Sequence, residues 1–155
     1  AVPASWSWAT WSVAGLAPWV WAVLVVGAVA ALCPLPAPGR VAGCLMVLAA
    51  CLWRPPPPDP GAVRFAMLDV GQGLAAVVET RHHVLVYDAG PAFRSGGDAG
   101  AMAVAPYLRH RGLRRVDVLV ASHDDLDHAG GAGSVADLVP VERRMASGTI
   151  GLPSW

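Results

Sequence analysis

Hydrophobic and polar positions divide this chain into two parts of different character. Residues 13–33 contain no charged side chain, and 21 residues in a helix span about 31 Å, close to the thickness of the hydrocarbon core of a bilayer. Tryptophans precede this run and recur in its first turns, as is typical of a membrane interface. The pattern predicts a transmembrane helix over residues 13–33. The alternative is a buried helix of a soluble core, although such a helix seldom lacks a polar face over this length.

A second apolar run, residues 41–53, lies between Arg40 and Arg54 and spans only about 20 Å as a helix. It crosses a membrane if both arginines snorkel and the bilayer thins locally, and otherwise it forms a re-entrant or interfacial helix. The proline-rich connector, residues 34–39, cannot continue a helix because proline lacks the amide donor. We therefore expect a helical hairpin within a membrane segment that comprises residues 1–54.

After the hairpin the pattern changes to short strands and helices. Residues 55–62 are rich in proline and predict a stiff linker, so the second domain covers residues 63–155. Short β-branched or alternating segments predict strands over residues 63–70, 74–80, 83–88, 116–121 and 141–146. Helical patterns cover residues 102–111 and 131–138, and residues 91–100 are typical of a loop. The expected fold class of this domain is α+β.

Composition and charge support a division into membrane and soluble parts. The chain is 55% hydrophobic with a mean hydropathy of +0.48, which is too apolar for one soluble domain. Its 11 basic and 11 acidic side chains cancel, which argues against the basic excess of a dominant nucleic-acid-binding surface. The three cysteines lie in the apolar part without C-x-x-C spacing, so no zinc knuckle is indicated. Because no initiator Met or basic segment precedes the first apolar run, we expect a piece of a longer membrane protein.

The segment from His123 to His128 has the highest density of candidate chemistry. Five of its six residues can bind a metal, and they directly follow an apolar strand, where a loop can turn several side chains inward together. Imidazole and carboxylate suit a divalent cation such as zinc or manganese. The alternative is an acidic, solvated loop in which Asp124 or Asp125 caps the free amides of the next helix.

The order of motifs around this segment resembles the metallo-β-lactamase fold. The motifs are F-A-M-L-D-V-G-Q-G at residues 65–73, V-Y-D-A-G at 86–90, P-Y-L-R at 106–109 and V-L-V-A-S-H at 118–123. More narrowly, residues 63–148 are similar to the C-terminal domain of ComEC-type DNA internalisation competence proteins. The preceding apolar segments resemble the last membrane helices of that family's competence region.

The resemblance implies roles for five residues. The family pattern H-x-D-x-D-H falls on His123, Asp125, Asp127 and His128. It implies that His123 and Asp125 face one divalent metal, zinc or manganese, and that Asp127 and His128 face the other. Asp127 is also the implied catalytic residue, acting with metal-bound water. Asp88 matches the first acidic motif and would orient the ligands rather than bind the metal.

Two departures from the family pattern limit the expected site. Leu74 stands where the family commonly has an acidic residue after the V-G-Q-G turn, and no histidine follows His128. We therefore expect only the first half of an αββα sandwich, with one sheet face bare. Such a fragment should bind metal weakly and be catalytically silent.

The function implied is that of an inner-membrane DNA uptake protein of natural transformation. Its complete domain would hydrolyse phosphodiesters of incoming DNA. The alternatives are a membrane-tethered hydrolase of another substrate and a noncatalytic remnant. Expected partners are membrane lipid, DNA, other DNA uptake components and the missing C-terminal half of the domain. Because Arg40 lies in the short connector, and such loops favour the cytoplasm, the soluble domain should be periplasmic or extracellular, next to the bacterial inner membrane.

Overall fold

The computed structural model describes residues 15–146. The first two residues of the predicted helix over residues 13–33, the tryptophans that precede it and residues 147–155 lie outside this part. Two compact units can be separated. One extends to Pro55 and includes residues 109–112, and the other comprises residues 56–108 and 113 onward.

The first unit contains a pair of helices joined by a short connector. Helix α1 is Pro18–Leu32 and helix α2 is Ala37–Leu52. Within the described residues, α1 begins with a proline in its first turn, where the missing amide donor costs nothing. For the same reason α2 begins earlier than the expected residue 41, because Pro38 is tolerated in its first turn. The connector between the helices is therefore shorter than the composition suggests.

Small residues bring the two helices together. A Cβ added to Gly43 would lie 2.7 Å from the carbonyl oxygen of Gly27, and a Cβ on Gly27 would lie 2.9 Å from that of Gly43. Only glycine permits such a close backbone approach. At the open end, Trp19 and Trp53 pack edge to face with ring centroids 5.8 Å apart. Small residues thus hold the centre of the hairpin together, and an aromatic pair holds its end.

Most of the large apolar side chains at the ends and outer faces of the two helices are exposed, whereas Val20 is buried. The exposed ones are Trp19, Trp21, Val25, Val26, Val29, Leu32, Val41, Leu45, Leu48 and Leu52. The two helices have 15 and 16 residues, or about 22 and 24 Å. Over residues 15–146, no helix combines the length and apolar character that a membrane crossing requires.

Over residues 56–146, the second unit contains a five-stranded sheet with its strands in sequence order. The strands are β1 (Arg64–Met67), β2 (Ala75–Glu79), β3 (Val84–Ala89), β4 (Val116–Ala121) and β5 (Val141–Ala146). Strands β1, β2 and β3 are antiparallel neighbours, whereas β3, β4 and β5 run parallel. The bounds of β4 and β5 match the predicted ones. β1 is shorter than residues 63–70 because the chain turns after Met67, where Asp69 Oδ1 accepts the amide N–H of Gly71.

Helical segments connect the parallel strands. A π-helical segment, Gly100–Val104, runs into α3 (Ala105–His110). Two further helices, α4 (Leu126–Ala129) and α5 (Ala132–Leu138), lie between β4 and β5. The sequence predicted one helix over residues 102–111. The structure divides this segment because the amide of Ala105 bonds to the carbonyl of Gly100 with the wider π spacing.

The two faces of the sheet differ in burial. On one face, strand residues pack with apolar residues of the helices in a core: Val77, Val86, Leu119, Val104, Leu108 and Val135. On the other face, the cross-strand registers place apolar residues in two rows, which we call the open face: Phe65, Val78, Leu85 and Val118, and Met67, Ala76, Tyr87, Val120 and Met145. Phe65 and Met67 keep 61% and 67% of their surfaces exposed. A contiguous patch of exposed aromatic and Met side chains is unusual on the surface of a monomeric soluble protein.

Candidate metal centre

The candidate site forms where β3 and β4 end. These strands are parallel, with Leu85 opposite Val118 and Tyr87 opposite Val120. Their carboxyl ends therefore lie at the same edge of the sheet, which is where ligands bind in parallel α/β sheets. The register places Asp88, near the end of β3, beside Ser122, which follows β4. The parallel pairing thus joins two motifs that lie 34 residues apart.

Asp88 is the buried anchor of the site. Its side chain has no exposed surface, and its backbone adopts a φ of +56°, a left-handed conformation that Asp tolerates better than most residues. Asp88 Oδ1 accepts the amide N–H of Ser122 at 2.7 Å. Asp88 Oδ2 accepts the hydroxyl of Ser122 at 2.7 Å and lies 2.8 Å from Nδ1 of His128. Hydrogen bonds therefore satisfy the buried carboxylate on both oxygens, as burial of a charge requires.

The two histidines of the motif lie side by side. Their ring centroids are 4.0 Å apart with an interplanar angle of 46°. His123 Nδ1 lies 2.8 Å from the Ser122 hydroxyl oxygen, and His128 Nδ1 contacts Asp88. One nitrogen of each ring is thus occupied inside the protein, which leaves Nε2 of each ring for another partner. Asp88, His123 and His128 offer ligand atoms that all lie within 4.8 Å of one another.

The motif aspartates lie beside the two Nε2 atoms. Asp125 Oδ2 is 3.4 Å from Nε2 of His123, and Asp127 Oδ2 is 3.9 Å from Nε2 of His128. Asp125 is largely exposed and Asp127 partly so. The structure therefore brings together Asp88 and both histidines, and places each motif aspartate next to one histidine at the solvent side.

The helix-capping alternative applies to Asp125, which occupies the N-cap of α4. Its side chain makes no capping hydrogen bond there. Its backbone carbonyl accepts the amides of His128 and Ala129 instead, at 2.9 and 3.0 Å. The carboxylate of Asp125 is therefore not used by the helix terminus.

The comparison with protein families decides the class of this domain. Residues 68–153 match the family model of the metallo-β-lactamase superfamily, which is more than half of the chain. The chain belongs to the metallo-β-lactamase superfamily. A site at the end of β4, with two histidines and nearby carboxylates, is thus found in a domain whose superfamily is named for metal use.

Named relatives narrow the resemblance within the superfamily. The chain is 36% identical to the uncharacterized protein YcaI of Escherichia coli over 88% of its own length and 16% of that protein. It is 41% identical to Recombination protein 2 of Haemophilus influenzae over 47% of the chain and 9% of the relative. It is 34% identical to Competence protein ComA of Neisseria gonorrhoeae over 56% of the chain and 12% of the relative. The predicted resemblance to ComEC-type competence proteins is confirmed, and the chain spans less than a fifth of each of these relatives.

Glycines allow the loops around the site to pack closely against one another. Gly73, with a φ of +131°, has no room for a Cβ because the carbonyl of Asp127 occupies that position. The same carbonyl accepts the amide of Leu74 at 3.3 Å. On the other side, Gly131 donates its amide to the carbonyl of Gly90 at 3.0 Å. The backbone of Leu74 supports the loop, whereas its apolar side chain cannot bind a cation.

Two polar residues that the sequence reasoning missed have defined places. Ser122 links Asp88 to His123, and its only signal in the sequence was a hydroxyl between an apolar strand and the motif. Glu79 is buried at the opposite end of the sheet, paired in register with Val84. Burial raises the pKa of Glu79, and the guanidinium of Arg64, 2.9 Å away, acts in the opposite direction. An acidic residue at the end of an apolar strand gave no sequence signal of its burial.

Proposed function

We propose that this chain is part of a ComEC-type DNA uptake protein, and that its site is half of a metal-dependent centre that hydrolyses phosphodiesters of incoming DNA. One observation carries the proposal. Nε2 of each motif histidine lies beside a carboxylate, and the buried carboxylate of Asp88 hydrogen-bonds to Nδ1 of His128. Carboxylate-oriented histidines are a recurrent arrangement at metal centres. The competence and recombination relatives support DNA as the substrate class.

The donor atoms fit a divalent metal. Two ligands bound at about 2.1 Å in tetrahedral geometry lie about 3.4 Å apart. The separations of 3.4 Å between His123 and Asp125 and 3.9 Å between Asp127 and His128 are close to this value. We therefore assign His123 with Asp125 to one metal and Asp127 with His128 to a second. Mixed nitrogen and oxygen donors favour zinc or manganese.

A divalent metal at this place would supply a Lewis acid that activates water and offsets the charge of a phosphodiester. The residues of the chain have the supporting roles. Asp88 fixes the ring of His128 through Nδ1, so that Nε2 keeps its lone pair. Asp127 is partly exposed beside that nitrogen, and we propose its carboxylate as the group that accepts a proton from water.

Each proposed metal has two protein ligands from this chain, whereas catalytic zinc sites usually have three. We therefore expect residues 1–155 alone to bind metal weakly and to cleave no DNA. Ligands from the C-terminal half of the domain, a proposed partner of these residues, would complete the site. The open face of the sheet is the surface that a second sheet would cover.

The distribution of side chains in the hairpin supports a place in lipid. Small residues lie between α1 and α2, while most of the valines and leucines keep exposed surface. Membrane helices pack in this way because lipid, rather than a protein core, solvates the large apolar groups. Helices of about 22 and 24 Å are shorter than a bilayer core of about 30 Å. We propose that the hairpin lies in the bacterial inner membrane, either in a locally thinned region or as a re-entrant or interfacial element.

Arg40 supports a periplasmic or extracellular place for the metal domain by the positive-inside rule. The same residue also has a structural contact, since its Nε–H donates to the carbonyl of Ala31 at 3.4 Å. The orientation can be tested directly. A single cysteine introduced into residues 91–100 of a cysteine-free variant should react with an impermeant reagent in intact cells, and reaction only after permeabilisation would contradict this orientation.

The catalytic proposal is tested on the longest open reading frame that contains this chain. We expect DNA cleavage that requires zinc or manganese and is lost in His123→Ala and His128→Ala variants. Ser134→Ala is the matched control because its hydroxyl bonds to Asp98 rather than to a motif residue. A metal-loaded protein that leaves DNA intact would contradict the proposed substrate. Zinc-dependent cleavage by residues 1–155, abolished by His128→Ala, would contradict the proposed half-site.

A further inference from the structure

We propose that the hydroxyl of Ser122 is a positioning group that fixes the tautomer of His123, so that one buried carboxylate, Asp88, orients both histidines. His128 contacts Asp88 directly, whereas His123 reaches it only through Ser122. The inference rests on the proposed function for what His123 binds. The tautomer of His123 can nevertheless be measured without any metal.

The Ser122 hydroxyl has a single hydrogen, which decides the direction of its two hydrogen bonds. Ser122 Oγ lies 2.7 Å from Asp88 Oδ2 and 2.8 Å from His123 Nδ1, and it can donate to only one of them. If the hydroxyl donated to His123, its oxygen would face Asp88 Oδ2 at 2.7 Å with no hydrogen between the two acceptors. Donation to Asp88 avoids this repulsion and forms a charge-assisted hydrogen bond. The hydroxyl therefore donates to Asp88 and accepts from Nδ1–H of His123.

The backbone makes this arrangement rigid. The amide N–H of Ser122 donates to Asp88 Oδ1, while its side chain donates to Oδ2 of the same carboxylate. Ser122 is thus held at two points, and its hydroxyl cannot rotate without losing a bond to a buried charge. A fixed acceptor at Nδ1 sets the orientation of the His123 ring.

The consequence is that both histidines carry their hydrogen on Nδ1. His128 donates from Nδ1 to the carboxylate, and His123 donates from Nδ1 to the serine oxygen. Both Nε2 atoms then present a lone pair, and these are the atoms that lie beside Asp125 and Asp127. A free histidine side chain favours the opposite tautomer, so the protein must impose this one through the partner of the other nitrogen.

The test is the tautomer of each ring in the full chain. The chain is labelled with ¹⁵N-histidine, kept in detergent without metal at a pH where imidazole is neutral, and examined by two-bond ¹H–¹⁵N correlation. Because the chain has five histidines, His123→Gln and His128→Gln spectra each assign the signals of one ring. We expect the wild-type protein to show Nδ1–H for His123 and His128. In Ser122→Ala, His123 should change to Nε2–H while His128 keeps its tautomer as an internal reference.

Variants separate positioning from general stability. Ser122→Thr keeps the hydroxyl and should restore the Nδ1–H form of His123. Ser134→Ala removes a serine that bonds to a different aspartate, and it should leave His123 unchanged. Cobalt(II) absorption titration gives a second readout, since loss of a ligand-orienting partner typically weakens metal affinity by about 10- to 100-fold. We expect this loss in Ser122→Ala and recovery in Ser122→Thr.

Two results would overturn the inference. One is an Nε2–H tautomer for His123 in the wild-type chain, which decides the question even if Ser122→Ala does not fold. The other is an unchanged His123 tautomer in a folded Ser122→Ala protein. If the expected tautomers are found but the longest open reading frame that contains this chain binds no cobalt, the role of Ser122 is supported and the proposed metal centre is contradicted, so the two failures are distinguishable.

Discussion

Replacement of Asp88 by Asn tests whether its negative charge organises the site. Asn fills nearly the same volume and tolerates the left-handed backbone at this position, so Asp88→Asn removes the charge without a new backbone cost. The amide oxygen can still accept the N–H of Ser122. Its NH₂ group, however, would face the Ser122 hydroxyl and Nδ1 of His128. In the wild-type protein both of these groups donate to Asp88, so in the variant donors would face a donor. We expect both histidines to change to the Nε2–H tautomer so that these contacts can be kept.

The magnitude follows from the bonds that change. Three charge-assisted hydrogen bonds to Asp88 of about 1.5–3 kcal/mol each become neutral ones of about 0.5–1.5 kcal/mol, so the free energy of unfolding should fall by about 3 kcal/mol. In a domain of this size that loss corresponds to a decrease of about 12–24 °C in melting temperature. With a proton on each Nε2, affinity for cobalt(II) should fall by about 10- to 100-fold.

The assay combines thermal denaturation of the full chain in detergent with ¹⁵N-histidine spectra and cobalt titration. Asp98→Asn is the matched control, because Asp98 accepts the amide of Ala101 and the hydroxyl of Ser134 rather than a histidine nitrogen. It should leave both histidine tautomers as in the wild type. An Asp88→Asn protein with unchanged tautomers and unchanged cobalt affinity would refute the reasoning, whatever its melting temperature.

Three further substitutions test other parts of the structure. Burial raises the pKa of Glu79 above its ordinary 4.5 while Arg64 opposes the shift, so the folded state binds this proton more tightly than the unfolded state. The free energy of unfolding should therefore decrease as pH rises through the folded pKa, and Glu79→Gln should remove that part of the pH dependence in urea titrations. Gly73→Ala should displace the loop that carries Asp127 and weaken cobalt binding, because the Asp127 carbonyl occupies the place of a Cβ. Gly43→Ala should destabilise the helical hairpin by about 1–3 kcal/mol, measured by thermal circular dichroism in detergent, because its Cβ would meet backbone atoms of α1.

Each of these substitutions has a matched control in the chain. Glu142→Gln removes an exposed carboxylate and should not flatten the pH dependence as Glu79→Gln does. Gly71→Ala also places a side chain at a positive φ, +75° compared with +131° at Gly73, but with no neighbouring atom within 4 Å, so an equal loss of cobalt affinity in both glycine variants would contradict the contact argument. Gly39→Ala meets only the side chain of Leu35 and should be tolerated. A Gly43→Ala hairpin as stable as the wild type would contradict the close helix contact.

The sequence alone determined which segments carry the elements and the chemistry. The bounds of β4 and β5 could be predicted because a continuous apolar run or an alternation is a local property of a strand. The candidate ligands from His123 to His128 could be named because their density in six residues is itself the signal. The superfamily could be suggested because its motifs occur in order along the chain. These features depend on neighbours in sequence, and the sequence displays them.

Only the tertiary structure decided how distant residues meet. The close approach of Gly27 and Gly43 depends on how α1 packs against α2, which a count of small residues does not show. The elements packed around the end of β2 bury Glu79. No residue pattern within β2 predicts that this acidic side chain is buried. Ser122 became part of the site because the parallel register of β3 and β4 places it against Asp88. A hydrogen-bond chain from Asp88 through Ser122 to His123 requires side-chain positions within a few tenths of an ångström, and strand register and burial fix those positions in the folded chain.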